Sequence, residues 1–190
     1  MREYYIKNVS GGNHPISMEL SRYLYDLCWK RRPKKILDRG SGFSSFLFRK
    51  YAFDIHSCPS LMSIDRRRGL DIYTVDNKKE WLDKAKEFVE YCGLKAYNFY
   101  IWPEFLKQNH DERKYDLILE DFYFPVRPKS LPKIIELLAP NGYLILDDAH
   151  IISYKDAIYK AEKRFNITVK YLVKETADKS GRFSALIRKK

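Results

Sequence analysis

The chain of 190 residues is poor in cysteine and has no long apolar run. Its three cysteines, Cys28, Cys58 and Cys92, are scattered and contain no Cys-x-x-Cys pair. This argues against a disulfide framework and indicates reduced thiols. No apolar segment approaches the ~18 residues of a membrane span, and residues 1–5 lack the apolar core of a signal peptide. We therefore expect a cytoplasmic protein without membrane contact.

Internal repeats, linkers and a second domain are not visible either. The length suits one domain with a sizeable core. Hydrophobic residues make up 45% of the chain and aromatic residues 15%, which favours a folded globule over a disordered chain. We predict a single domain over residues 1–190, with an N-terminal helical extension at 1–33 and a loop insertion at 53–70.

Acidic residues are in the minority, at 25 against 36 lysines and arginines, which gives a formal net charge of +11. Such a balance can indicate a nucleic-acid partner, an anionic substrate or only a solvated basic surface. The densest basic clusters are residues 30–35 and 66–68. Neither is interleaved with aromatic residues as a single-strand-binding groove requires. Nucleic acid is therefore a possible partner that the charge does not identify.

A strand followed by a glycine-containing turn is the most informative part of the sequence. Residues 36–38 form a short apolar strand that ends in a carboxylate, and Gly40 and Gly42 allow a tight turn. Residues 43–48 continue as a helix with an apolar face. A strand, a glycine turn and a helix N-terminus together form a cradle for a nucleotide-like ligand.

The pattern Asp38-x-Gly40-x-Gly42 resembles the first motif of class I S-adenosylmethionine-dependent methyltransferases. The resemblance implies that Asp38, Gly40, Ser41 and Gly42 hold the methionine end of S-adenosylmethionine. Arg39 departs from the pattern, since the family usually has an apolar or small residue there.

Strands and helices alternate along the remaining chain. We predict strands at residues 71–76, 97–101, 115–121, 143–146, 167–173 and 183–187. We predict helices at about residues 16–30 with Ser17 as N-cap, after Asp76 or Asn77, after Ser130 and at 154–164. Five βα units and a final hairpin resemble the methyltransferase sheet. The fold class is then a Rossmann-like, doubly wound α/β sheet of seven strands, mostly parallel with a C-terminal antiparallel hairpin.

Acidic residues end four of the predicted parallel strands. They are Asp38, Asp76, Glu120 with Asp121, and Asp147 with Asp148. Ligands of open α/β sheets bind beyond the carboxyl ends of the strands, and acids are depleted within strands. The four acidic ends therefore predict an active site. Asp76 and its neighbour Asn77 are candidates to bind a ribose diol, and the alternative is a helix cap without a ligand.

The fourth and fifth strand ends are similar to those of catechol- and macrocin-type O-methyltransferases. That resemblance implies Mg²⁺ bound by Asp121, Asp147 and Asp148, because a divalent cation lowers the pKa of an acceptor hydroxyl. Ala149 stands where the catechol type has asparagine. The alternative makes the acids helix caps or partners of basic side chains.

His150 follows the same strand end and is a candidate general base. Asp121 is the other candidate catalytic residue. The alternative is a histidine that only forms structural hydrogen bonds. The resemblance implies a methyltransferase that uses S-adenosylmethionine to methylate a hydroxyl of a small molecule. Two other hypotheses stay open: an RNA methyltransferase that uses the basic surface, and a non-catalytic binding module.

Overall fold

Seven strands form one mixed sheet in the computed structural model, which describes residues 1–11, 15–58, 69–110 and 114–189. The strands are β1 (Lys35–Arg39), β2 (Asp71–Asp76), β3 (Phe99–Ile101), β4 (Tyr115–Glu120), β5 (Leu138–Leu146), β6 (Ile167–Tyr171) and β7 (Ala185–Lys189). Their order is β3-β2-β1-β4-β5-β7-β6, and only β7 is antiparallel to its neighbours. The predicted fold class is confirmed.

The strands form because their apolar side chains alternate between the two faces of the sheet. In β1, Ile36 packs on one face and Leu37 on the other. In β4, Leu117 and Leu119 share the face of Ile36, while Ile118 lies on the opposite face. Both faces are covered, so the central strands are buried on both sides.

Eight α-helices accompany the sheet in the described residues. They are α1 (Arg2–Asn8), α2 (Met18–Arg31), α3 (Phe43–Ser57), α4 (Lys79–Tyr91), α5 (Trp102–Phe105), α6 (Arg127–Leu137), α7 (Ile152–Arg164) and α8 (Val173–Thr176). Side chains of α2, α3 and α4 pack on one face of the sheet, and those of α5, α6 and α7 pack on the other. None of the helices in the described residues combines the length and apolar character needed to cross a membrane.

Several predicted helix starts need correction. Ser17 is the N-cap of α2 as predicted, and its hydroxyl accepts from the backbone of Leu20 at 2.9 Å. Ser130 is not a cap, because α6 already begins at Arg127 and places Pro132 in the helix interior. Helix α4 has Lys78 as its N-cap residue, so neither Asp76 nor Asn77 caps it.

The C-terminal strands form the predicted antiparallel pair, but their connection contains α8, and β7 lies between β5 and β6. Strand β5 begins at Leu138, earlier than predicted, and its pairing with β4 shifts register before Tyr143. Residues 140–142, which precede the predicted strand, lie within this irregular part of β5.

The predicted loop insertion at 53–70 begins as helix, because α3 continues to Ser57. Residues 59–68, which include the basic cluster 66–68, lie outside the described residues. The N-terminal extension contains α1, a helix that the sequence did not predict. Tyr5 of α1 is buried against Phe43 and Phe88.

Candidate functional site

A cavity of about 350 Å³ lies at the carboxyl ends of β1, β2 and β4. Four parts of the chain form its walls: the N-terminal segment, the glycine turn, the start of α4 and the segment that leads into α6. The lining residues are Tyr5, Ser10, Pro15, Ile16, Gly40, Ser41, Gly42, Phe43, Asp76, Asn77, Lys78, Trp81, Asp121, Phe122, Tyr123, Phe124 and Arg127. The cavity therefore brings together most of the residues predicted to bind a ligand.

The two glycines of the turn differ in how strictly they are required. Gly40 has φ +119°, and a Cβ there would lie 2.4 Å from the backbone oxygen of Asp121. The turn can thus approach the end of β4 only without a side chain. At Gly42, a Cβ would lie 3.5 Å from the hydroxyl of Tyr5. That distance is an ordinary van der Waals contact, so Gly42 lies in the cavity wall without a strict steric need for glycine.

Asp38 does not line the cavity, in contrast to the contact predicted for it. Its side chain is fully buried, and it accepts hydrogen bonds from Ser44 and Ser45 at 2.7 Å each and from Thr74 at 3.1 Å. Burial raises the pKa of Asp38 to about 6, although these hydroxyls and the charge of Arg49 oppose the rise. Asp38 therefore fixes the start of α3 behind the turn and is a positioning residue.

Asp76 lines the cavity and also holds the turn in place. One carboxylate oxygen accepts from the backbone N–H and the hydroxyl of Ser41, at 2.9 and 2.7 Å. The other accepts from the backbone N–H of Lys78 at 3.1 Å. Asn77 lies in the cavity wall beside it. The end of β2 is therefore bound to the glycine turn as well as exposed to a ligand.

Tyr5 brings α1 into the site. Burial raises the pKa of its hydroxyl well above the usual value, and the negative charges of Asp38, Asp121 and Asp76 add to the rise. The hydroxyl therefore stays protonated and can donate a hydrogen bond into the cavity. A seven-residue helix with one buried tyrosine gives too little periodicity to be found in the sequence.

Arg127, the first residue of α6, joins the acidic ends of β4 and β5. Its Nη2 donates to Asp121 Oδ1 at 2.7 Å, and its Nη1 donates to Asp148 Oδ2 at 3.1 Å. Nη1 also donates to the backbone oxygen of Asp147 at 3.2 Å, and Nε donates to that of Phe122. The sequence analysis missed this arginine, which lies six residues beyond the predicted metal ligand Asp121.

The three acids of this cluster differ in surroundings. Asp147 is buried, and its Oδ1 accepts from the hydroxyl of Ser184 at 3.1 Å. Asp121 and Asp148 are half-buried. Burial raises the pKa of Asp121 and that of Asp147, and Arg127 opposes both shifts. A carboxylate whose pKa is raised is a better proton acceptor.

His150 lies beside this cluster and is not part of the cavity wall. Its Nδ1 is 3.9 Å from Asp148 Oδ1, and its ring packs edge-on against Phe183 with centroids 6.2 Å apart. The distance is too long for a hydrogen bond. Its role as general base stays a prediction.

Glu120, one of the acids counted at the strand ends, is not part of the cavity. Its carboxylate pairs with Arg39, and both side chains are fully buried. The guanidinium of Arg39 also binds Ser130 Oγ at 3.0 Å and lies 4.3 and 4.2 Å from the rings of Trp102 and Phe122. Arg39 therefore departs from the motif for structural reasons, because its side chain forms a buried ion pair beneath the ring of Trp102.

The predicted metal ligands Asp121, Asp147 and Asp148 do converge, with one oxygen of each within 4.8 Å of the others. Two of these carboxylates bind Arg127, and the third binds Ser184. Each carboxylate therefore already has one oxygen in a hydrogen bond to the protein, and the positive charge of Arg127 lies beside the cluster. Mg²⁺ stays a prediction.

Solved structures of methyltransferases are similar to the chain over almost its whole length. The O-methyltransferase from Bacillus cereus in complex with SAH has a TM-score of 0.71 and 16% identity, covering 100% of this chain and 88% of that one. The SAH-bound methyltransferase PaMTH1 of Podospora anserina has a TM-score of 0.74 and 15% identity, covering 99% and 85%. The O-methyltransferase TomG of Streptomyces achromogenes, involved in tomaymycin synthesis and solved with SAM, has a TM-score of 0.66 and 14% identity, covering 98% and 84%.

These similarities confirm the predicted fold, that of class I S-adenosylmethionine-dependent methyltransferases. At such low identity the similarity is one of fold alone. No protein-family model matches the sequence, and no curated protein matches it significantly.

Proposed function

We propose that the protein is an S-adenosylmethionine-dependent methyltransferase that methylates a hydroxyl group of a small molecule. One observation carries the proposal: the cavity joins the glycine turn, Asp76 and Asp121 in a fold shared with enzymes solved with SAM or SAH. These residues fit the cofactor chemically. The space beside Gly42 accepts a ligand close to the backbone, and Asp76 supplies a carboxylate for hydroxyl groups.

Asp76 is the residue that we assign to the ribose of the cofactor. Its two oxygens bind Ser41 and Lys78, but each carboxylate oxygen can accept more than one hydrogen bond. Asn77 adds an amide to the same wall, and the aromatic side chains of Trp81 and Phe124 offer apolar surfaces for a purine. Gly40, Ser41 and Gly42 then surround the methionine end.

Asp121 is the residue that we assign to the reacting hydroxyl. When bound, the cofactor supplies an electrophilic methyl group, which bonds to the acceptor oxygen while the electron pair of the broken carbon–sulfur bond stays on sulfur. Asp121 would take the proton of the hydroxyl, since its raised pKa makes it a competent base. His150, the other predicted base, does not line the cavity and is assigned no step in this mechanism. The cavity walls would hold the two reactants together and exclude water.

A small acceptor suits the cavity better than a nucleic acid. Tyr123 lies in the cavity wall and leaves 59% of its surface exposed, so it can contact an aromatic or apolar acceptor. Of the two basic clusters, residues 30–35 do not line the cavity, and Arg66, Arg67 and Arg68 lie outside the described residues. Arg39 is the residue that departs from the family motif, and its buried ion pair with Glu120 explains that departure. The departure therefore does not support a non-catalytic binding module. A cytoplasmic location stays part of this proposal.

Calorimetric titration with S-adenosylmethionine tests the proposal first. We expect one saturable site, with S-adenosylhomocysteine competing for it and ATP binding far more weakly. A panel of phenols and other hydroxyl compounds would then be screened for formation of S-adenosylhomocysteine. A folded protein that binds neither S-adenosylmethionine nor S-adenosylhomocysteine would contradict the proposal.

A further inference from the structure

Arg127 lies where three carboxylates converge. Asp121, Asp147 and Asp148 each offer an oxygen within 4.8 Å of the others, close to the ~4.2 Å between opposite ligands of an ion with oxygens at ~2.1 Å. We propose that Arg127 takes the position of the divalent cation, so that the site works without Mg²⁺. This inference rests on the proposed function, because it concerns how that same site balances its charge.

The guanidinium is bound by the surrounding acceptors. Of its five N–H donors, Nη2 uses one for Asp121, and Nη1 uses two for the carboxylate of Asp148 and the backbone oxygen of Asp147. Nε uses another for the backbone oxygen of Phe122. The side chain is only 7% exposed. A divalent cation bound by the same carboxylates would lie next to this buried guanidinium, and the two positive charges would repel each other.

The local backbone explains why the guanidinium reaches this position. Arg127 begins α6 directly after a 3₁₀ turn, Phe124–Val126, and Pro128 follows it at the helix start. Proline fits the first helical turn and restricts the backbone there. Asp121 and Phe122 lie only six and five residues away. One short segment thus supplies both a carboxylate and the cation that balances it.

The exchange of a metal for an arginine changes the chemistry of the site. A guanidinium balances negative charge but does not give up protons near neutral pH, and it cannot bind a hydroxyl oxygen as a Lewis acid. The proton of the acceptor hydroxyl therefore goes to a carboxylate. Asp121 is the carboxylate of this cluster that lines the cavity. An acceptor also needs only one hydroxyl, because no cation has to be chelated by a second oxygen. The substrate class extends to simple phenols and alcohols.

Binding of Mn²⁺ in place of Mg²⁺ tests the inference directly. Free Mn²⁺ would be measured by electron paramagnetic resonance against wild-type protein, Arg127→Ala and the double variant Arg127→Ala/Asp148→Asn. Lys129→Ala is the matched control, since it removes an exposed positive charge from the same helix. We expect no Mn²⁺ site in the wild type or in Lys129→Ala up to ~1 mM. We expect one site in Arg127→Ala and its loss in the double variant.

Two results would overturn the inference. One is a Mn²⁺ site in the wild type that Asp148→Asn abolishes, a measurement that does not depend on the folding of Arg127→Ala. The other is a folded Arg127→Ala protein that gains no site. Titration of the same wild-type sample with S-adenosylmethionine, with and without EDTA, separates the two proposals. Equal affinity for S-adenosylmethionine with and without EDTA supports the inference, and affinity that is lost with EDTA overturns it. If S-adenosylmethionine does not bind under either condition, the proposed function is overturned, while the Mn²⁺ result still stands.

Discussion

Glu120 and Asp121 are consecutive acids at the end of β4, and each pairs with an arginine, yet their surroundings are opposite. Glu120 and Arg39 are both fully buried beneath aromatic rings. Asp121 is half-buried, lines the cavity, and shares Arg127 with Asp148. Similar pairing chemistry therefore serves the interior in one case and a candidate active site in the other.

The period of the strand produces this difference. Side chains alternate between the two faces of the sheet, so Glu120 lies on the face of Ile118, with Arg39 on the face of Leu37. Asp121 comes after the last paired residue of β4, where the chain leaves the sheet and can face the cavity. An acid at a strand end is therefore a site candidate when its side chain reaches the cavity, as those of Asp121 and Asp76 do, and not when it is buried in an ion pair as Glu120 is.

The largest expected effect comes from Glu120→Gln. The change leaves Arg39 charged in a fully buried position, and breaking a buried pair in this way costs ~3–5 kcal/mol of unfolding free energy. The neighbouring change, Asp121→Asn, should cost ~1 kcal/mol or less, because Arg127 keeps Asp148 and two backbone oxygens as partners. Urea denaturation of both variants measures the difference.

The double variant Arg39→Met/Glu120→Leu is the control for this prediction. In the described residues, Arg39 Nε, Arg39 Nη2 and Glu120 Oε2 have no hydrogen-bond partner, so apolar replacement of both side chains removes these unpaired groups. We expect stability equal to the wild type or higher by ~1–4 kcal/mol. Equal losses in Glu120→Gln and Asp121→Asn would contradict the contrast between the two pairs.

Asp38 extends the comparison to a buried acid whose direct partners are hydroxyl groups. Its pKa of about 6 in the folded state exceeds the unfolded value of about 3.9, so the folded state binds more protons between these pH values. Its contribution to stability is therefore complete below pH ~4 and is lost as the pH rises through ~6, by about 3 kcal/mol. Asp38→Asn should remove this part of the pH dependence.

The measurement is the unfolding free energy of wild type and Asp38→Asn from pH 4 to 8. Other buried acids, such as Glu120 and Asp147, contribute to both proteins, so only the difference between the two curves is used. A constant difference across the range would mean that Asp38 titrates as it does in the unfolded chain.

Sequence patterns predicted the parts of the molecule that depend on residues close together in the chain. The period of β1, the need for a glycine at position 40 and the cap at Ser17 all follow from neighbouring residues. The inward position of Asp38 was not predicted. Its carboxylate is held by the hydroxyls of Ser44, Ser45 and Thr74, and Thr74 belongs to the neighbouring strand β2. Contacts across strands have no local signal.

Arg127 and Tyr5 show the same limit within the site. Arg127 belongs to the site because a short turn places α6 above the ends of β4 and β5, which no periodic pattern indicates. Tyr5 contributes through a seven-residue helix packed on Phe43 and Phe88. The sequence therefore predicted which strand ends carry the acids and missed the side chains that neutralise or cover them.

The central claim is that the cavity binds S-adenosylmethionine between the glycine turn and Asp76. Calorimetric titration of Asp76→Ala tests it, with Asp83→Ala as the control that removes a carboxylate on the outside of α4. The account predicts that Asp76→Ala weakens binding by ~1–3 kcal/mol, the cost of lost charged hydrogen bonds, and clearly more than the control does. Wild-type affinity in a folded Asp76→Ala protein would contradict it.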